Sequence, residues 1–297
     1  EAFGVEKAEK ILPMMNDKPP FTIRVNVLKT GREALRQALL EKGITSEMGS
    51  CDASALKLLD VGAFESHVQK DNLFTEGFFT IQDQGAMVAA RLLAPEPGER
   101  VLDMCAAPGG KTTHLAELMG NTGEIIARDV FASRITLIED TAKRLGITII
   151  KTEEKDGSIF DEAEQNTYDR ILLDAPCTGL GIIRRKPEIR YGMGKKDRQA
   201  IVKLQAKLLD HAVAYLKPGG TMVYATCTVN PDENEKQIVK LLEKYPFMSV
   251  HHEVGCDGRL HTTPLDDGCD GRLHTTPLDD GCDGFFMCKL VKDHGVN

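Results

Sequence analysis

The chain has 297 residues, 41% apolar and 28% charged, an ordinary balance for a water-soluble globular protein with one large α/β domain and a smaller appendage. No apolar run approaches the roughly 18 residues of a membrane span and no secretory leader is visible, so no membrane partner is expected and a cytoplasmic monomer is. The net charge of −8 argues against a nucleic-acid partner until it is mapped: residues 255–284 carry −5, which leaves only −3 elsewhere, and Arg184, Arg185, Lys186, Arg190, Lys195, Lys196 and Arg198 form a basic cluster against that background.

The first 73 residues read as a small α+β subdomain, a candidate RNA contact. A strand is predicted over 21–28. Thr30-Gly31-Arg32-Glu33 has the spacing of a capping box, Leu35, Ala38 and Leu39 give a helical face, and Gly43 offers a stop. Weaker strand candidates follow at 55–59 and 77–81. The Pro and Gly of 94–98 punctuate the way into the next region, and residues 74–297 are assigned to one catalytic domain. Strands are predicted there at 100–104, 124–128, 148–151, 170–173 and 221–225. Between them lie helical faces, Ile135, Ile138, Ala142 and Leu145 in one, Ile201, Leu204, Leu208 and Tyr215 in another. Such alternation calls for an α/β fold with a mainly parallel sheet and helices on both faces; 285–291 supplies a last strand. The chain begins with Glu1 rather than Met, so a further segment is expected upstream.

Residues 255–267 are repeated without a difference at 268–280, and a third Gly-Cys-Asp-Gly follows at 281–284. Diverged structural repeats are rarely identical, and two copies are too few for a solenoid. The Asp-Gly units lack the spacing of a calcium loop and read as turns; no metal is expected. Of the eight cysteines, Cys105, Cys177 and Cys227 fall just after predicted strands. That placement suits reduced thiols better than a disulfide framework.

Three motifs carry chemistry. In the first, a strand ending at Met104 runs into Cys105-Ala106-Ala107-Pro108-Gly109-Gly110-Lys111 and then a helix. Small residues let the backbone approach a ligand, and a helix N-terminus favours negative charge. A P-loop would need glycine at 105, where this chain has cysteine; an NTPase therefore stays only as a runner-up. Asp129 ends the next strand, placed to accept hydrogen bonds from ribose hydroxyls, so an adenosine-bearing cofactor fits; a helix N-cap is the alternative. The other two motifs are Asp174-Ala175-Pro176-Cys177 and Ala225-Thr226-Cys227-Thr228. Both put a thiol at a C-terminal strand end, where open α/β sheets bind ligands. A lone buried cysteine is usually a small hydrophobe; two beside a cofactor loop are harder to read that way.

Together these three motifs resemble the Sun/RsmB family of RNA cytosine-5 methyltransferases, with a likeness running from Arg24-Val25-Asn26 and Gln82-Asp83 to Asp283-Gly284-Phe285-Phe286. The nearest likeness is to the bacterial enzyme acting on small-subunit ribosomal RNA; transfer RNA enzymes share the motifs, and the family's NusB-like N-terminal domain has no counterpart here. The resemblance implies a Rossmann-like fold and S-adenosylmethionine as cofactor. It places the cofactor at Cys105 to Lys111, Asp129, Asp156 and Asp174, and the Asp174 carboxyl is also a catalytic candidate, expected to hydrogen-bond the cytosine edge near N3. It makes Cys227 the nucleophile that attacks C6 of cytosine, and Cys177 the residue that helps release the product. DNA cytosine-5 methyltransferases use a Pro-Cys cysteine as nucleophile, which keeps Cys177 a rival. Asp156, which precedes Gly157, also reads as a turn residue. Arg184, Arg185, Lys186 and Arg190 follow the Cys177 loop and are the candidate phosphate contacts; a solvated helical face is the alternative for this cluster, and a non-catalytic RNA-binding module remains a third class.

Overall fold

A computed structural model of the chain describes residues 4–59, 61–62, 64–251, 272–275 and 281–295. Most of the duplicated segment 255–280 lies outside the described residues.

The N-terminal unit contains α1 (Gly4–Met14), β1 (Phe21–Val25), α2 (Arg32–Glu41), β2 (Thr45–Met48), β3 (Ala55–Leu59), α3 (Phe64–His67), α4 (Asn72–Thr75) and β4 (Phe79–Ile81). Its four strands form an antiparallel sheet in the order β2-β3-β1-β4. Ile23, Val25, Leu56, Leu58 and Phe79 from the sheet meet Leu35 and Leu39 of α2 in one core. The strand predicted to reach residue 28 stops at Val25, because the Asn26 carbonyl accepts the Lys29 and Thr30 amides and turns the chain. The capping box at Thr30–Glu33 does not form: Gly31 is the N-cap, without a side-chain bond, and Glu33 instead pairs with Arg36.

The second unit contains α5 (Gln84–Leu93), β5 (Arg100–Asp103), α6 (Gly110–Leu118), β6 (Glu124–Asp129), α7 (Ala132–Leu145), β7 (Ile150–Glu154), β8 (Tyr168–Asp174), α8 (Ile189–Gly192), α9 (Lys195–Tyr215), β9 (Leu216–Thr226), α10 (Glu235–Lys244), β10 (Met248–Val250), β11 (Arg272–Thr275) and β12 (Phe285–Lys292). The sheet order is β10-β12-β9-β8-β5-β6-β7, with β11 also paired to β12. The pairings among β5 to β9 are parallel, and those of β12 with β9, β10 and β11 are antiparallel.

Side-chain alternation sorts the strands into two cores. Val101, Ile125, Leu172, Val223 and Met287 face a layer with Val88, Leu115 and Leu145 of α5, α6 and α7. Their neighbours Leu102, Ile126, Ile171, Tyr224 and Phe286 face Leu208, Ala212, Ile238 and Leu241 of α9 and α10. Helices thus cover both faces, as parallel strands require. The strand predicted at 148–151 lies two residues later, at Ile150–Glu154; the Thr148 amide is taken by the Asn121 side chain at 2.9 Å.

A buried polar joint fixes the two units together. Arg24 of β1 is fully buried and donates to Glu117 at 2.8 and 3.1 Å, to Thr113 at 3.0 Å, to the Gly110 carbonyl at 2.6 Å and to Gln82. Asn26 adds bonds to the carbonyls of Gly77 and Leu145. Removing one partner from such a buried pair costs about 3–5 kcal/mol, because the other charge is left uncompensated. The joint clamps the N-terminus of α6, the element that follows the 105–110 loop. Among the described residues no helix is long and apolar enough to cross a membrane.

Candidate active site

From β5 the chain moves one way across the sheet, through β6 and β7, and then returns to place β8 and β9 on the other side. The C-terminal ends of β5 and β8 therefore flank a topological switch point, where open α/β sheets form a crevice. A pocket of about 560 Å³ opens there, within the usual range for a small-molecule site. Cys105, Ala107, Asp129, Asp156, Asp174, Cys177, Lys186 and Cys227 all line it, so residues from all three motifs meet in one cavity.

The loop after β5 is tightly held. Its Ala106 amide donates to the Arg128 carbonyl at 2.7 Å and Gly109 caps α6 with φ at +96°. A side chain at 109 would be strained by that φ and would also meet Ile138 at 3.1 Å. Burial, then the nearby Asp103, Asp174 and Asp129 carboxylates, push the Cys105 thiol far up, and its side chain forms part of the pocket wall. Asp129 is buried and is not the helix N-cap, a position taken by Phe131. Its carboxylate accepts the Phe131 amide at 3.3 Å and faces Arg134 at 3.2 Å. Asp156 is exposed and accepts the Ser158 amide at 2.8 Å, which, with the Ser158 side chain, lowers its pKa. The turn and the pocket wall are thus the same residue.

Lys111 does not project freely, as a P-loop lysine would. Its ammonium donates to Asp174 at 2.7 Å, at the end of the neighbouring strand. Burial works against the charge of Lys111, but Asp174 more than offsets it, and the pKa rises. The two thiols lie beside this pair with their sulfurs 3.2 Å apart. The Cys177 pKa is raised well above the ordinary thiol range, first by its bond to Cys227 and then by burial. The Cys227 pKa is lowered, first by the same contact and further by the Lys111 ammonium, against burial and Asp174. The contact between the two sulfurs thus goes with pKa values displaced in opposite directions.

A family model described as 16S rRNA methyltransferase RsmB/F matches residues 90–291. The chain belongs to the RsmB/F family. An RsmF/B-like ferredoxin-like domain model matches residues 1–64, the N-terminal unit. A relative described as probable ribosomal RNA small subunit methyltransferase B, from Bacillus subtilis, is 39% identical over 83% of the chain and 54% of its own length; the chain spans about half the length of the curated relatives it matches. Among solved structures, PH0851 has a TM-score of 0.86 at 35% identity, over 97% of this chain and 63% of its own. NSun6 from Pyrococcus horikoshii with SFG has a TM-score of 0.84 at 25% identity, over 98% and 95%. The fold is thus the Rossmann-like S-adenosylmethionine-dependent methyltransferase fold with a small N-terminal α+β domain.

Sequence reasoning missed a residue that ties the two thiol loops of this RsmB/F chain together. Glu233 is fully buried. One carboxylate oxygen accepts the Thr178 amide at 2.8 Å and Gln205 at 3.2 Å; the other accepts the Thr178 hydroxyl at 2.6 Å and Asn230 at 2.8 Å. Thr178 in turn meets Thr228 at 2.8 Å, so the residues that follow Cys177 and Cys227 are joined. A close backbone approach completes the clamp: the Gly181 amide donates to the Cys227 carbonyl at 2.9 Å, and a side chain at 181 would collide with the Gly284 carbonyl.

The basic residues expected to grip phosphates divide. Arg184 and Arg185 converge on Asp283, with Arg184 at 2.6 Å, and Arg185 also reaches Asp83 at 2.8 Å. The Arg184 side chain is 5% exposed and Asp283 1%. Their guanidinium groups tie the Cys177 loop to the start of β12 and of α5, so both candidate phosphate contacts carry ion pairs within the protein, while the Arg185 side chain stays 31% exposed. Arg190 donates to Asn16 at 2.6 Å and to the Met15 carbonyl at 3.1 Å, just past α1. Lys186 is exposed on the pocket wall.

Proposed function

We propose that this protein transfers a methyl group from S-adenosylmethionine to C5 of a cytosine in RNA, with Cys227 as covalent nucleophile. The observation that carries the reading is the thiol pair at the switch point, its sulfurs 3.2 Å apart, in which the Cys227 pKa is lowered and that of Cys177 raised. The pocket suits the cofactor by its donor set. Asp129 offers a buried carboxylate to ribose hydroxyls, while the exposed apolar side chains of Val130 and Phe131 on its rim offer an apolar seat to an adenine ring. Asp156 is placed for the adenine amino group, and Cys105 to Lys111 frame the remaining wall. SFG, an analogue of S-adenosylmethionine, accompanies the archaeal NSun6 structure. When bound, the cofactor supplies an electrophilic methyl group.

The chain's own residues perform the rest. C5 of cytosine is a poor nucleophile. The Cys227 thiolate bonds to C6, and the displaced ring electron pair makes C5 nucleophilic, which splits one hard step into two easier ones. After methylation a base takes the C5 proton, the C6–sulfur bond breaks, and its electron pair returns to Cys227. Cys177, a thiol of high pKa touching the Cys227 sulfur, is assigned to this release. Asp174 holds Lys111 in place and faces the pocket, where a carboxylate accepts from the cytosine amino group.

The target base must leave any stack before the sulfur reaches C6, and RNA offers such bases in loops and bulges. The names of the curated relatives favour small-subunit ribosomal RNA, and residues 1–73 are assigned to RNA contact beside the catalytic unit, 74–297. Labelled S-adenosylmethionine incubated with ribosomal RNA tests the reading: label is expected in 5-methylcytosine. The Cys227→Ala protein should lose at least about 10³-fold in rate, as removal of a covalent nucleophile does. A Cys227→Ala enzyme with the wild-type rate refutes the assignment, and label in transfer RNA alone changes the substrate while keeping the chemistry.

A further inference from the structure

With Arg184 and Arg185 committed to Asp283 and Asp83, the positive charge without an ion pair near the thiols, among the described residues, is Lys186 on the pocket wall and a group on α9 and α10. α9 carries Leu204 and Leu208 into the pocket wall on one side. Its opposite side borders a second, larger groove of about 1020 Å³. Lys195, Arg198 and Lys203 of α9 line that groove, and Lys240 of α10 closes it. All four are exposed, and none makes an ion pair among the described residues. The one carboxylate on the lining, Asp232, is matched by Lys236 at 2.6 Å.

The near wall of the groove comes from the chain that follows the two thiols. Leu180 lies three residues after Cys177, and Val229 and Asn230 lie two and three after Cys227. A strand with one base in the thiol pocket would therefore carry its neighbouring phosphates directly over this wall. From Lys195 to Lys203 the helix rises ~12 Å, the reach of a short run of nucleotides rather than of a single phosphate. Among the described residues no aromatic side chain lines the groove, so they offer no platform for stacking bases. Its chemistry is that of backbone tracking, which adds affinity without reading sequence.

We propose that the groove between α9 and α10 holds the phosphodiester backbone of single-stranded RNA flanking the target cytosine, through Lys195, Arg198, Lys203 and Lys240. The inference rests on the proposal that RNA is the substrate. Its test is the full chain binding a fluorescent single-stranded RNA of mixed sequence over a range of salt concentrations. Loss of three phosphate contacts makes the slope of log K against log[salt] shallower by about 2. The Lys195→Ala/Arg198→Ala/Lys203→Ala protein is expected to show that change, with affinity lower by about 10-fold or more. Lys240→Ala, on the other helix, should give about a third of the slope change, and Lys143→Ala, an exposed cation on α7, should give none. In methylation assays the KM for RNA should rise while kcat and the KM for S-adenosylmethionine hold. A triple variant with wild-type affinity and slope, made from an enzyme that methylates RNA, overturns the groove alone. A wild-type protein that neither binds nor methylates RNA overturns the RNA reading and the groove with it.

Discussion

Cys177 and Cys227 occupy similar places in the fold. One follows β8 by three residues and the other follows β9 by one; both line the same pocket and are half-buried. Their surroundings nevertheless drive them apart. Their mutual contact is the largest cause for both, lowering the Cys227 pKa and raising that of Cys177; Lys111 lowers that of Cys227 further, while Asp174 raises both. Two like groups with their pKa values pushed apart can take different roles in one reaction. The lesson is that strand-end position selects the candidates, and the contact between the two sulfurs, reinforced at Cys227 by a buried ammonium from a third element, separates them.

Lys111→Met would break that distinction most. It removes the cation and leaves Asp174 beside the thiols without its partner, and should lower methyl transfer by roughly 10²-fold, the scale of losing one preorganised charged group. The sign with pH is determined. A lowered pKa means that Cys227 becomes thiolate below the ordinary thiol value of about 8.5, so iodoacetamide should label Cys227 first as pH rises and Cys177 only later. In Lys111→Met the labelling curve of Cys227 should move to higher pH while that of Cys177 moves less. Peptide mass spectrometry across pH reads both. Equal labelling curves in the wild type would remove the distinction between the two loops.

Glu233→Gln sharpens the comparison from the structural side. Both carboxylate oxygens are accepting, so an amide NH2 must face donors in a fully buried position. A loss of roughly 1–3 kcal/mol of stability is expected, read as a fall in the unfolding midpoint. Because Glu233 positions the thiol loops without touching substrate, kcat should fall by about 10-fold, the cost of modest misplacement, with little change in the KM for S-adenosylmethionine. Glu233→Asp should recover part of it. Full activity in Glu233→Gln would mean that the clamp does not position the thiols.

Much of this was legible in the sequence, for a physical reason. Strands buried on two faces are continuous apolar runs, and α7 buries Ile135, Ile138, Ala142 and Leu145 at helical spacing; both patterns survive in one dimension. α5 left no such stripe, because Met87, Val88, Ala89, Ala90, Leu92 and Leu93 are buried around its circumference. The site was legible as motifs but not as partnerships. Lys111 and Asp174 are 63 residues apart, and Glu233 sits in a run of polar residues that resembles a surface. Arg184 and Arg185 seemed free because Asp283 lies 99 and 98 residues away, in a Gly-Cys-Asp-Gly unit that reads as a turn.

The most direct test of the assignment of roles is to trap the covalent intermediate. Cys177→Ala protein, mixed with substrate RNA and S-adenosylmethionine, should accumulate a protein–RNA adduct, because attack is intact and release is slowed. After nuclease and protease digestion, mass spectrometry should find the methylated cytidine on the peptide containing Cys227. An adduct on the peptide containing Cys177 in the Cys227→Ala protein, with none on Cys227 in the converse variant, would contradict the account and exchange the two roles.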